Sequence, residues 1–167
     1  TNFNFEFKQV SDALVKKIME QGQELKSKVK IDFSSPRKID EVFTSYYMIL
    51  QTLQAGKVEP TKTAKIWLRL SWLYSDVEDE EMFNYTSEKA LEAYSESYFN
   101  TRRNTSVEQD QRLTILLGEL CLRVNQKEEA LKHFRNSIVR KGGNNNLNRQ
   151  AEDRIHDLRI ALSEENT

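Results

Sequence analysis

Apolar residues recur along this chain at spacings of three, four and seven, the period of a helix with one buried side. Between Val10 and Val29 the stripe is Leu14, Ile18, Leu25 and Val29, with Ser11 placed to cap its start. Ser35 followed by Pro36 reads as the start of a second helix, carrying Ile39, Val42, Phe43, Tyr46, Tyr47, Leu50 and Leu53. Gly56 is expected to end it in the left-handed conformation. Thr61 or Thr63 opens a third, with Trp67, Leu70 and Tyr74 on one side, and Asp76 or Asp79 a long fourth through Ala90, Leu91, Tyr94 and Tyr98. Ser106 and Gln109 form a capping-box pair for a fifth helix, with Leu113, Leu116, Leu117, Leu120 and Val124. Asn125 and Glu128 have the same pattern before a sixth, with Leu131, Phe134 and Ile138. "KGGNNN" stops it, and a last helix runs from about Leu147 to Leu162 with Ala151, Ile155 and Leu158. Seven helices joined by short loops predict an all-α array of antiparallel hairpins.

One segment breaks the pattern. "NFNFEF" alternates Phe3, Phe5 and Phe7 at a strand period, with no second strand to pair with. It is either a tail whose rings pack on helices or the edge of a removed N-terminal domain. The opening on Thr1 rather than Met fits a truncated chain. The division expected is therefore an aromatic tail over residues 1–9 and a helical repeat domain over 10–163.

Two windows repeat one another. Leu70-Ser71 is followed by Ala90, Tyr94 and Ser97; Leu117-Gly118 is followed by Ala130, Phe134 and Ser137. Small residues let two helices approach, and a large ring fills the space beside them. The pattern resembles the tetratricopeptide repeat, a helix pair of about 34 residues. Trp67, Leu70, Ser71 and Tyr74 match its first-helix pattern of Trp, Leu, Gly and Tyr, with Ser for Gly. Leu117 and Gly118 match it again, with Thr114 and Cys121 at the Trp and Tyr places. Ala130 follows Gly118 by 12 residues, as in the family, whereas Ala90 follows Ser71 by 19. The first copy thus carries seven extra residues, expected in "SDVEDEEMFNYTS". The closing proline is absent, with Gly142 near its place. Two repeats are few for such an array, so helices one, two and seven are expected to act as caps.

The succession "WLRLSWLY", "LLGELCLR", "EEALKHF" also resembles the C-terminal part of an uncharacterised bacterial family, domain of unknown function 2225, from about Phe3 onward. Members usually begin with paired Cys-x-x-Cys motifs that look like a zinc site. Those cysteines are not in this chain. The resemblance therefore implies no cofactor here and zinc in a missing N-terminal part.

Composition changes the picture mainly by exclusion. Lys and Arg number 25 and Asp and Glu 26, so the totals give no support for a nucleic-acid binder. Five Gly and two Pro are too few for a turn-rich β fold, and eight Phe, six Tyr and two Trp would be wasted without a core. Cys121 stands alone, which excludes an intramolecular disulfide. No apolar run approaches roughly 18 residues and no signal peptide is visible, so a cytoplasmic protein without membrane insertion is expected.

Little here suggests catalysis. With one Cys and no His-x-x-Glu-type pairing, His133 and His156 read as surface or rim residues; Cys121 lacks a visible base and reads as buried and inert. "KGGNNN" follows a helix and lacks the Lys-Ser/Thr of a phosphate loop. "DVEDEE" suits a solvated helix start, with a Mg²⁺ or Ca²⁺ site as the second reading.

The best functional clue is Trp72. It lies roughly 140° from Trp67 around the helix, so it is off the packing face, and it forms a second apolar line with Leu68. First helices line the concave side of tetratricopeptide arrays. A groove of Leu68, Arg69, Trp72, Arg112, Ile115, Glu119, Leu122 and Arg123 would suit a protein or peptide partner with apolar anchors and acidic flanks. The opposing reading has helix two or the terminal helix fill it. The expectation is a non-enzymatic scaffold or adaptor module, with a homo-oligomer also compatible. The alternative is a regulatory sensor binding nucleic acid or an anionic small ligand through the Arg-rich C-terminal half: Arg102, Arg103, Arg140, Lys141, Arg149, Arg154 and Arg159.

Overall fold

Several helices begin where a side chain or a proline deals with the first unpaired N–H groups. A computed structural model describes residues 12–28, 33–56, 58–101, 105–139 and 142–165. "NFNFEF", Ser11, Val29, Arg102, Arg103, Arg140 and Lys141 lie outside the described residues, as do the side chains of Leu14 and Ile18. Among the described residues there are seven helices and no strand: α1 Asp12–Lys28, α2 Ile39–Ala55, α3 Pro60–Asp76, α4 Glu80–Thr101, α5 Val107–Arg123, α6 Lys127–Ser137 and α7 Asn145–Glu165.

Two starts follow the sequence pattern. Asp79 Oδ1 accepts the N–H of Met82 at 3.1 Å ahead of α4. Ser106 and Gln109 cap one another reciprocally at 3.3 Å ahead of α5. Others correct it. Ser35-Pro36 does not open α2; the helix begins three residues later, at Ile39. The Glu41 carboxylate sets this start, accepting the N–H groups of Lys38 and Ser34 at 2.9 Å and the Ser34 hydroxyl at 2.6 Å. Gly56 has φ −75°, right-handed rather than left-handed, because its N–H still reaches the Thr52 carbonyl. Pro60, not Thr61 or Thr63, opens α3: as first helical residue it has no N–H to leave unpaired. Asn125 and Glu128 form no capping box. Asn125 is instead the left-handed residue of the α5–α6 turn (φ 57°), and α6 starts after Gln126.

That turn has a twin. Glu78 between α3 and α4 has φ 58°, and like Asn125 it stands seven residues after the small residue of its first helix, Ser71 or Gly118. The backbone bonds also match: Val77 to Leu73, Glu78 to Ser75 and Asp79 to Tyr74, against Val124 to Leu120, Asn125 to Leu122 and Gln126 to Cys121. The two hairpins therefore share one turn geometry. The seven extra residues, expected in "SDVEDEEMFNYTS", do not lengthen this connection. They sit inside α4, which has 22 residues where α6 has 11. Seven residues are about two helical turns, so the Ala90–Tyr94–Ser97 face keeps its direction but moves along α3.

Register follows from that displacement. In the second hairpin Phe134 lies against Gly118: a Cβ on Gly118 would stand 2.7 Å from the Phe134 ring. In the first, Thr61 and Ser97 share a hydrogen bond. An antiparallel pair with that contact sets Tyr94 opposite Ala64, and Ser71 opposite Ser87. Ala64, Ala90 and Tyr94 are buried together with Leu117 and Leu120, and Ser71 and Ser87 are both fully buried. The sequence comparison paired Ser71 with Ala90 and Tyr94; the structure gives that role to Ala64.

The core is a row of three clusters, one per layer. Leu50 and Leu53 of α2 meet Ile66 and Leu70 of α3, with Phe43 stacked on Tyr74 at 4.5 Å and the Tyr47 and Tyr74 hydroxyls bonded at 2.9 Å. The second cluster joins α3, α4 and α5. The third joins Ile115 and Cys121 of α5, Ala130 and Phe134 of α6, and Leu147, Ala151, Ile155 and Leu158 of α7. Helix α7 is locked on by Gln111, which is fully buried. Its Nε2 donates to the Ser137 carbonyl (3.0 Å) and to Asn148 Oδ1 (2.7 Å), and its Oε1 accepts the Asn144 N–H at 2.8 Å. Gly143 lets the loop come this close; a Cβ there would stand 2.9 Å from Gln111 Oε1.

Two glycines make the packing argument testable. Gly118→Ala should lower stability by about 1–2 kcal/mol, overpacking against Phe134 outweighing a helix-propensity gain of about 1 kcal/mol. Gly22→Ala, with nothing within 4 Å of the added Cβ, should raise stability by up to about 1 kcal/mol. Urea unfolding of the two variants checks the opposite signs; a stabilising Gly118→Ala would contradict the close approach.

Candidate functional site

The eight residues expected to line a groove separate into three groups. Leu68 and Ile115 do not line an open surface, which corrects the sequence reading. Leu68 is 8% exposed, packed with residues of α4 and α5, and Ile115 is 5% exposed beneath α6 and α7. Leu122 is half-buried against that same third cluster. Helical phase gives a direction around one helix; it does not tell how many neighbours cover that direction.

The second group is charged and already paired. Arg112 donates from Nε (3.1 Å) and Nη2 (2.6 Å) to Glu108 Oε1, one turn earlier on α5. Glu119 accepts Arg154 of α7 through both oxygens, at 2.7 and 3.0 Å. This fork spans 35 residues of sequence and ties α7 to α5. The terminal helix thus closes the α5 side of the expected groove at Ile115 and Glu119.

The third group stays available. Trp72 is 49% exposed, as its phase predicts. Arg69 is exposed on the same helix, three residues before it. Burial raises the Tyr94 hydroxyl pKa, and the Arg69 charge opposes that rise. Arg123 is half-buried in the last turn of α5. Its Nη1 donates to the Ser71 hydroxyl of α3 at 3.2 Å, and its guanidinium lies 5.8 Å from the centre of the Phe83 ring of α4. Burial lowers its pKa and Glu119 raises it, though Arg stays charged at any ordinary pH. No acid within ion-pair distance neutralises Arg69 or Arg123 among the described residues. Ser71 and Phe83 were missed as supports for Arg123. The Ser71–Arg123 contact spans 52 residues and leaves no local signal.

Phe83 also borders an open cavity of about 260 Å³ at the α3–α4 turn, lined by Tyr74, Ser75, Glu78, Asp79 and Glu80. Three of the five acids of "DVEDEE" are among these. Among the described residues no group of three or more His, Cys, Asp and Glu is arranged to hold a metal ion. His133 is half-buried, and desolvation lowers its pKa against the pull of Glu129. His156 is exposed. On α7 the arginines Arg149, Arg154 and Arg159 are interleaved with Glu152, Asp153, Asp157, Glu164 and Glu165. No described helix is long and apolar enough to cross a membrane.

A family model described as an uncharacterized protein conserved in bacteria (DUF2225) matches residues 1–162. No curated protein and no solved structure matches the chain.

Cys121 gives this region an internal probe. It is 2% exposed, and burial, with a smaller push from Glu129, raises its thiol pKa to about 11. At pH 8 the thiolate is scarce and shielded. Iodoacetamide should therefore label the native protein far more slowly than the urea-unfolded chain, as read by intact mass. Equal rates would contradict the packing of α5 against α6.

Proposed function

The chain belongs to the DUF2225 family of bacterial proteins, and from that premise we propose that it is a non-enzymatic interaction module of a cytosolic protein. Its hairpins act as a small tetratricopeptide-like array that takes a peptide or helix of a protein partner across the faces of α3 and α5. The single observation that carries this reading is Trp72, a large aromatic left half in solvent, on the same helix as Arg69, which no acid pairs among the described residues. Tryptophan and arginine are the residue types that most often anchor protein interfaces. The rest of the expected groove contributes by shape: buried Leu68 packs α3 against α4 and α5, buried Ile115 packs α5 against α6 and α7, and α7 walls one side.

A regulatory sensor binding nucleic acid or a small anion gains no comparable support. Its strongest described element, α7, carries three arginines against five acids, and Arg154 is committed to Glu119.

Trp72→Ala tests the reading. The substitution should change stability by no more than about 1 kcal/mol, because the side chain is half exposed. It should abolish capture of protein partners from bacterial cytosol by the immobilised chain. Undiminished capture by the variant, or capture that disappears on nuclease treatment, would overturn the proposal.

A further inference from the structure

The position of Arg123 is costly unless something else completes it. Its usual mate would be Glu119, four residues earlier on the same helix face. That carboxylate is held instead by both arms of the Arg154 fork. Proximity to the α5 C-terminus accounts for a cation in this turn, but not for its placement across two other helices. The guanidinium is braced by the Ser71 hydroxyl from α3 and the Phe83 ring from α4. A half-buried cation held in one orientation, with no ion pair among the described residues and its nearest acid, Glu119, committed to Arg154, is a preorganised anion acceptor. One of its five N–H groups goes to Ser71, which leaves donors for a carboxylate.

Trp72 follows Ser71 on α3. On the α3 wheel Trp72 lies about 100° from Ser71, where Arg123 docks, and Arg69 lies about 60° beyond Trp72. By phase the tryptophan therefore lies between the directions of the two arginines, with the exposed Asp76 one turn further along α3. We infer that this face recognises an acidic peptide, with Arg123 binding one of its carboxylates while an apolar side chain of the same peptide covers Trp72. The inference rests on the reading of this face as a peptide groove and narrows it to one partner chemistry. The carboxylate comes from an Asp or Glu side chain or from the peptide's C-terminus, and the test separates the two.

The probe is a random dodecapeptide display library selected at low salt against the full chain, Trp72→Ala, Arg123→Gln and Arg123→Lys, all first checked for native thermal unfolding. The best peptide is then synthesised with its acid replaced by the amide and, separately, with an amidated C-terminus. Affinities follow from fluorescence anisotropy. Wild-type selections should enrich an acid at a fixed distance from an apolar residue. Arg123→Gln should weaken binding roughly ten- to a hundredfold. Arg123→Lys should recover only part of that, because an ammonium lacks the planar fork. Amidating the responsible carboxylate should weaken wild-type binding and leave Arg123→Gln binding unchanged. A merely structural Arg123 would not produce that coupling. Enrichment of peptides that need Trp72 but no acid would overturn this inference and leave the peptide-groove reading standing. Additive losses from the two changes would overturn it as well, and no enrichment at all would overturn both.

Discussion

How closely two helices approach is decided by the smallest residue between them, and in this array that contact sets everything downstream. Gly118 admits the ring of Phe134 to the α5 surface, at a distance no Cβ would permit. Ala64, fully buried, plays the corresponding part opposite Tyr94. These two contacts define the hairpin registers. The registers place Ser71 where the Arg123 guanidinium reaches it, and they leave Trp72 facing outward. The two extra turns of α4 are tolerated because seven residues nearly close two turns of helix. The packing face keeps its direction while its partner moves from Ser71 to Ala64.

The helical class and most of the architecture were legible in the sequence because apolar period and local caps are properties of neighbours in the chain. Ser106 with Gln109, and Asp79, act within one turn and were readable. Ser35-Pro36 misled because Glu41, six residues on from Ser35, offers the backbone a stronger set of hydrogen bonds. Asn125 misled because an asparagine serves a left-handed turn as readily as a cap. The register was not legible at all. Small residues at both position 64 and position 71 could receive the ring, and only the twin turns decide between them.

The candidate site shows the same division. Exposure of Trp72 follows from its phase on one helix. Burial of Ile115 depends on α7, and burial of Leu68 on α4 and α5 together, which no single-helix pattern reports. Pairing of charges is harder still. Arg112, Glu119, Arg123 and Arg154 look interchangeable in sequence. A local pair with Glu108 takes Arg112, a tertiary fork joins Glu119 to Arg154, and Arg123 is left braced by a hydroxyl and an aromatic ring. The face that remains carries Trp72, Arg69 and Arg123, with the acids of the α3–α4 turn beside Phe83.

The displaced register of the first hairpin is the claim on which the site depends, and cysteine crosslinking tests it most directly. In a Cys121→Ser background, Thr61→Cys with Ser97→Cys should oxidise readily to an intramolecular disulfide, because these side chains already share a hydrogen bond. Leu68→Cys with Ser97→Cys should not. If Ser97→Cys instead crosslinked to Leu68→Cys, Tyr94 would lie opposite Ser71. The Arg123 pocket as described would then be wrong.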